Sequence, residues 1–177
     1  MPFARKKALM NAIILSLFSH GPLVWMFCSK ELNNKINSLH KRALQLVYLD
    51  YSNSFEELLK KDNGITIHQR NIQLVATEMF KAYKGLGPEL MMEIFELDHG
   101  RSKNDFRRPN VNTETWGKNS IRYFGPVVWD DMLPDRYKSI QKLEKFQEEI
   151  AKWVPEKCPC IVCKEYLAGV GHIVVVE

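Results

Sequence analysis

From Ser29 to Leu49 the residues Leu32, Ile36, Leu39, Ala43 and Leu46 recur at intervals of four and three. That spacing lays a single apolar stripe along an α-helix, and no β-strand can use it, because a strand repeats every two residues. The run predicts one long helix with Lys35, Ser38, Lys41, Arg42 and Gln45 on its other side. The stripe must pack on something, and the basic side is left to water or phosphate.

The rest of the chain punctuates itself as helices. Ser54-Phe55-Glu56-Glu57 and Thr66-Ile67-His68-Gln69 both place a hydroxyl three residues before a Glu or Gln. In such a capping box each end satisfies the other's exposed backbone amide. The first opens a short helix ending near Asn63-Gly64. The second opens a longer one with Ile72, Val75, Ala76, Met79, Phe80 and Tyr83 on one face and Gly85 as C-cap. Gly87-Pro88 starts a further helix through Leu97, with Pro88 where its missing N–H costs nothing. Periodicity vanishes from Asp98 to Ser120, a long basic loop. Ser120 to Phe124 reads as one short strand or an extended segment, Gly125-Pro126 as a turn, and Val127 to Leu133 as a short helix broken by Pro134. A last helix is expected over Ser139 to Val154, carrying Ile140, Leu143, Phe146, Ile150 and Trp153. With 45% apolar and 26% charged residues the chain is of globular composition. The fold class is therefore mainly α: a helical bundle, then short helices, a long basic loop and a Cys-rich tail. So little strand disfavours Rossmann, P-loop and hydrolase folds, and none of their glycine or serine motifs is present.

Arg5, Lys6 and Lys7 before the apolar run Ala8 to Phe18 imitate a signal peptide, but no small-x-small cleavage site follows. Read as a membrane span, Ala8 to Cys28 is interrupted by Asn11, His20 and Gly21-Pro22. The preferred reading is a buried helix, a Gly-Pro turn and a second apolar segment, Leu23 to Phe27. No membrane role is expected, and an intracellular place, nucleus or cytoplasm, is favoured over secretion.

Several blocks in series carry a family resemblance. Leu23-Val24-Trp25-Met26-Phe27, Leu32-Asn33-Asn34-Lys35-Ile36-Asn37 and Arg42-Ala43-Leu44 with Val47-Tyr48 and Asp50 form the first. Ser54-Phe55-Glu56-Glu57-Leu58-Leu59 and Ile67-His68-Gln69-Arg70-Asn71 form the second. Phe124-Gly125-Pro126 through Trp129, Leu133-Pro134, the Phe146 to Trp153 helix and Cys158-Pro159-Cys160-x-x-Cys163-Lys164 form the third. In this order, over residues 5–173, the chain resembles the region after the catalytic palm of non-LTR (LINE-type) retrotransposon reverse transcriptases. The resemblance implies four stretches: a thumb-like helical segment (1–50), a helical segment (51–97), a basic loop or linker (98–126), and a C-terminal helix with its Cys-rich tail (127–177). The loop near Asn104 is shorter than the family's, and Asp130-Asp131 carries one residue more than the usual Trp-Asp-x-Leu-Pro. Both departures imply a decayed or truncated copy.

Nucleotide addition needs two metal ions caged by carboxylates from separate strands. The adjacent pair Asp130-Asp131 follows Val128-Trp129 on an expected helix or turn, and no strand upstream offers a third carboxylate. The chain is expected not to be an enzyme. His20, His40, His68, His99 and His172 have no paired nucleophile, and His68 reads as a core or cap residue.

Charge is distributed in blocks. Residues 1–50 carry seven Lys or Arg against two acids, and residues 100–129 carry six against two. Lys35, Lys41 and Arg42 on the long helix, and Arg101, Lys103, Arg107, Arg108, Lys118 and Arg122 around the loop, are the candidate RNA or DNA contacts. Phe106, Trp116 and Tyr123 lie among them as rings for base stacking. Cys160-x-x-Cys163 has the gap that lets two thiolates share one Zn²⁺, with Cys158 as a third ligand and His172 as a fourth. Against a structural zinc stand the missing second pair and the stiffness of Cys-Pro-Cys; cysteines retained in a loosely packed tail are the alternative. The functional expectation is a non-catalytic reverse-transcriptase region with residual non-specific nucleic-acid binding, partnered by the missing palm and fingers or by itself. The alternative is a helical protein-interaction module without a nucleic-acid role.

Overall fold

The computed structural model describes residues 1–21, 26–98, 100, 104–113, 117–160 and 163. Among them every regular element is helical, and Leu97 and Phe106 form one antiparallel bridge. The mainly α class is thus observed. The described chain forms two compact units, the first Met1–Asn71 with Cys163 from the tail, the second Ile72–Ile161.

In the first unit, α1 (Phe3–Leu9) runs through a π-helical segment (Met10–Leu15) into α2 (Ser16–Ser19). The expected buried helix is therefore only half right. Met10 and Leu15 are buried, but Leu9, Ile13 and Leu17 stand in water. Of the apolar segment after it, Leu23, Val24 and Trp25 lie outside the described residues. No helix among the described residues is long and apolar enough to cross a membrane.

Helix α3 (Lys30–Tyr48) is N-capped by Ser29, whose hydroxyl accepts the Leu32 amide, and ends on Leu49 in left-handed geometry at φ 52°. Its buried side corrects the expected stripe. Ile36 and Ala43 are inside as expected, together with Leu44, Val47, Asn33, Asn37 and His40, while Leu32, Leu39 and Leu46 are exposed. Lys35 and Arg42 interleave with those three leucines on the same side, so burying the leucine row would drag two cations into the core, a far larger cost than burying hydrogen-bonding Asn side chains. The exposed leucines and the two cations thus share one face, apart from the buried Ile36, Ala43, Leu44 and Val47.

Helix α4 (Phe55–Asp62) opens with the complete Ser54/Glu57 capping box, and Asn63 at φ 49° closes it. Phe55, Leu58 and Leu59 join Ile36, Leu44 and Val47 of α3 in one core. Asp62 fastens the edge of that core, accepting from Tyr48 Oη at 2.7 Å and pairing with Lys7 at 2.8 Å.

Helix α5 (Ile67–Tyr83) starts at the second capping box, Thr66 amide to Gln69 Oε1 at 3.0 Å and Gln69 amide to Thr66 Oγ1 at 3.2 Å. In the second unit its Ile72, Val75, Ala76, Met79 and Phe80 are buried. The unit adds α6 (Glu89–Ile94), α7 (Ile121–Val127) continuing as a π-helical segment (Val128–Met132), α8 (Asp135–Lys138) and α9 (Leu143–Ile150). An aromatic cluster fills it. Phe80 stacks on Phe146 at 4.2 Å between centroids, and Trp129 lies against Tyr83, Phe106 and Phe146.

Three further expectations change here. Helix α6 stops at Ile94 with Pro88 as its N-cap, because residues beyond it turn extended to pair with the 105–107 segment. The Ser120–Phe124 stretch is helical, and Gly125-Pro126 sits inside α7 rather than at a turn. The glycine is there for closeness: a Cβ on Gly125 would lie 2.6 Å from Met79 Sδ and 3.0 Å from Phe95 Cε1. The single helix expected over 139–154 is broken, since the Gln141 side chain donates to the Ser139 carbonyl that a continuous helix would use. Phe146, Ile150 and Trp153 are buried all the same.

Candidate functional site

The strongest constellation is thiol and imidazole. His68 lies in the first turn of α5, whose start is set by the Thr66/Gln69 box. Its Nε2 is 3.2 Å from Cys163 Sγ, both groups being buried. Cys158 and Cys160 stand five and three residues before Cys163 in the sequence. With His68 the three cysteines form a group of metal-ligating residue types. This cluster could bind a metal ion. From Zn–S and Zn–N lengths a tetrahedral N···S edge of roughly 3.6 Å is expected, and the His68–Cys163 pair at 3.2 Å is near it. No disulfide joins the described cysteines. The chain leading into the segment is held within the second unit by Gln73, which donates to the Trp153 carbonyl at 2.6 Å.

Spacing in the sequence does not single out His68 as a candidate ligand. The sequence reads it as a core or cap residue, and it is both buried and near a cap, but its ring faces a thiol 95 positions away. No spacing rule reaches that far. The fourth ligand expected instead, His172, lies outside the described residues.

The basic candidates divide by unit. On α3 Lys35 and Arg42 are exposed and Lys41 is half-buried. In the second unit Arg107, Arg108 and Arg122 come together around a hollow of about 500 Å³, lined also by Ile94, Glu96 and Asn110. Arg107 meets Glu96 at 3.3 Å, and Arg108 grips Asp131 in a two-point pair at 2.6 and 2.9 Å. Among the described residues Arg122 makes no ion pair. Lys118 is half-buried, and Arg101 and Lys103 lie outside the described residues.

Of the rings expected to stack on bases, Phe106 is a correction. It is buried, because the bridge to Leu97 turns it into the aromatic core beside Phe95 and Trp129. Tyr123 is half-buried, and Trp116 lies outside the described residues.

The acidic pair is committed to the fold. Asp130 accepts the Asp105 amide at 3.0 Å, Asp105 accepts the Trp129 indole N–H at 2.8 Å, and Asp131 is held by Arg108. Burial pushes the Asp130 carboxyl above its ordinary range, against the Asp105 amide and Arg108, which pull it down. The same network raises Arg108, chiefly through its hydrogen bonds to Asp131.

Comparison with protein-family models, curated proteins and solved structures finds no match to this chain.

Proposed function

We propose that this chain is a non-catalytic, nucleic-acid-binding region of the kind that follows the palm in non-LTR reverse transcriptases. The observation that carries the reading is the convergence of Arg107, Arg108 and Arg122 on one hollow. Phosphate oxygens are the ligand that three guanidinium groups around a concavity suit best, and such contacts are indifferent to base sequence. The order of sequence blocks supports the family. The engagement of Asp130 and Asp131 by Arg108 and the Asp105 amide supports binding without metal-dependent chemistry.

Fluorescence anisotropy with labelled duplex DNA and RNA across a salt series tests this. Affinity is expected to fall steeply with salt, by about 0.9 in log K per phosphate contact on duplex DNA. The Arg107→Gln/Arg122→Gln pair should weaken binding to all sequences alike and flatten the salt slope by roughly two contacts. Binding that ignores salt, or a double variant indistinguishable from the parent, overturns the reading.

The same proposal takes the ion of the thiol–imidazole cluster to be zinc, with His68, Cys158, Cys160 and Cys163 as ligands. Three soft thiolates with one imidazole are a closed structural set for that metal. Bound there, zinc supplies a cross-link and no chemistry. The chain's own contribution is a capped helix start and a short, proline-stiffened ligand segment. Native mass spectrometry of tag-free protein should find one zinc per chain, lost in both His68→Ala and Cys160→Ser. A fully folded protein without metal refutes it.

A further inference from the structure

Helix α3 turns an unusual face to water. Leu32, Lys35, Leu39, Arg42, Leu46 and the capping Leu49 follow one another at intervals of three and four. This is the seam of a helix that packs on another helix. Yet these four leucines are between 48% and 67% exposed, although the same helix buries two asparagines and a histidine on its inner side.

Within the same unit the seam continues sideways. Leu9 and Ile13 of the α1–π segment meet Ala43, Leu46, Val47 and Leu49 along an apolar groove of about 430 Å³. Leu17 extends the neighbouring row, 63% exposed. Two helices thus present paired apolar rows with a furrow between them, which is the receiving surface for a third helix. From Leu32 to Leu46 the row runs about 21 Å, four turns of partner.

The charges select the partner. Lys35 and Arg42 occupy two positions of the seam, each between two leucines, and Lys6 lines the groove. Among the described residues none of these three makes an ion pair, and Glu31, at the start of α3, is the acid adjoining the row. A second copy of the chain would bring basic seam against basic seam, so self-pairing is opposed. A phosphate backbone would neutralise the cations and leave the leucines between them in water.

We infer that the α3 face with its groove binds an amphipathic helix that carries leucine-type side chains at one seam position and acidic residues at the other. Such a helix buries the leucine rows and answers Lys35 and Arg42 with carboxylates in a single register. The inference concerns the first unit and is independent of the arginine hollow in the second.

The test uses the full chain and two labelled synthetic helical peptides, one with Leu and Glu at the two seam positions, the other with Lys replacing each Glu. The acidic peptide should bind and its basic twin should not. Leu46→Gln should weaken binding about tenfold. Lys35→Glu/Arg42→Glu should reverse the preference in favour of the basic peptide. These positions are exposed, so unchanged far-UV circular dichroism keeps the comparison fair. Equal binding of both peptides overturns the inference. So does a dimer in sedimentation that Leu46→Gln dissolves, binding only to phosphatidylserine vesicles, or displacement of the acidic peptide by duplex RNA with no effect of Leu46→Gln.

Discussion

His40 gives the sharpest prediction about stability. Its ring is 1% exposed and set edge-on to Phe55 at 5.3 Å between centroids. Among the described residues its Nδ1 has no hydrogen-bond partner. Burial above all, with the Arg70 cation adding to it and Asp62 opposing, lowers its pKa to about 4 from an ordinary 6.5. The folded chain therefore holds His40 neutral where the unfolded chain protonates it. For a group depressed on folding, the unfolded state binds the extra proton between the two values, so stability falls as pH falls through that window. Between pH 7 and pH 5 the loss comes to about 2 kcal/mol, and by pH 4 to about 3 kcal/mol.

Urea unfolding at pH 7 and pH 5, on the parent and on His40→Phe, isolates the term. Contributions from all other groups are common to both proteins and cancel in the difference. The parent should lose about 2 kcal/mol more than the variant over that interval, at unchanged denaturant slope. Equal losses would mean that His40 is reached by water or finds a proton acceptor, and the reasoning fails.

Two other substitutions probe the packing. Gly125→Ala places a methyl 2.6 Å from Met79 Sδ and 3.0 Å from Phe95, and should cost about 1–3 kcal/mol in thermal or urea unfolding. On α3, Leu44→Ala should cost about 2–5 kcal/mol, since that side chain is fully buried, while Leu39→Ala, half in water, should stay within about 0.5 kcal/mol of the parent. Equal costs for the two leucines would put the wrong side of the helix inside.

The helices were legible where local chemistry decides them. Ser54 with Glu57, and Thr66 with Gln69, close on themselves within four residues, so they need no distant contact to form. Which side of α3 is buried was legible only in part. Leucine looks like core and asparagine does not, yet Asn33, Asn37 and His40 go in while Leu32, Leu39 and Leu46 stay out. The signal was present in the two cations: Lys35 and Arg42 share the leucines' side, and a side that carries unpaired charge stays wet whatever its apolar content. Gly125-Pro126 misled for a related reason. Both residues usually mark turns, but here the glycine is set by how near Met79 comes, which is a property of another helix.

The candidate metal cluster divides along the same line. Three of its four ligands sit in six consecutive residues and announce themselves, because a thiol repeat at that spacing is a local fact. The fourth, His68, is 95 positions from the thiol it faces, and its own surroundings argue for an ordinary buried histidine. Long-range pairing is what a helix start can provide without showing it in sequence. The capping box fixes where α5 begins, hence which way the side chain two residues later projects. A ligand set whose partners are this far apart closes a long loop. Losing the His68–Cys163 link should therefore lower stability in urea unfolding while leaving in place the start of α5, which Thr66 and Gln69 set.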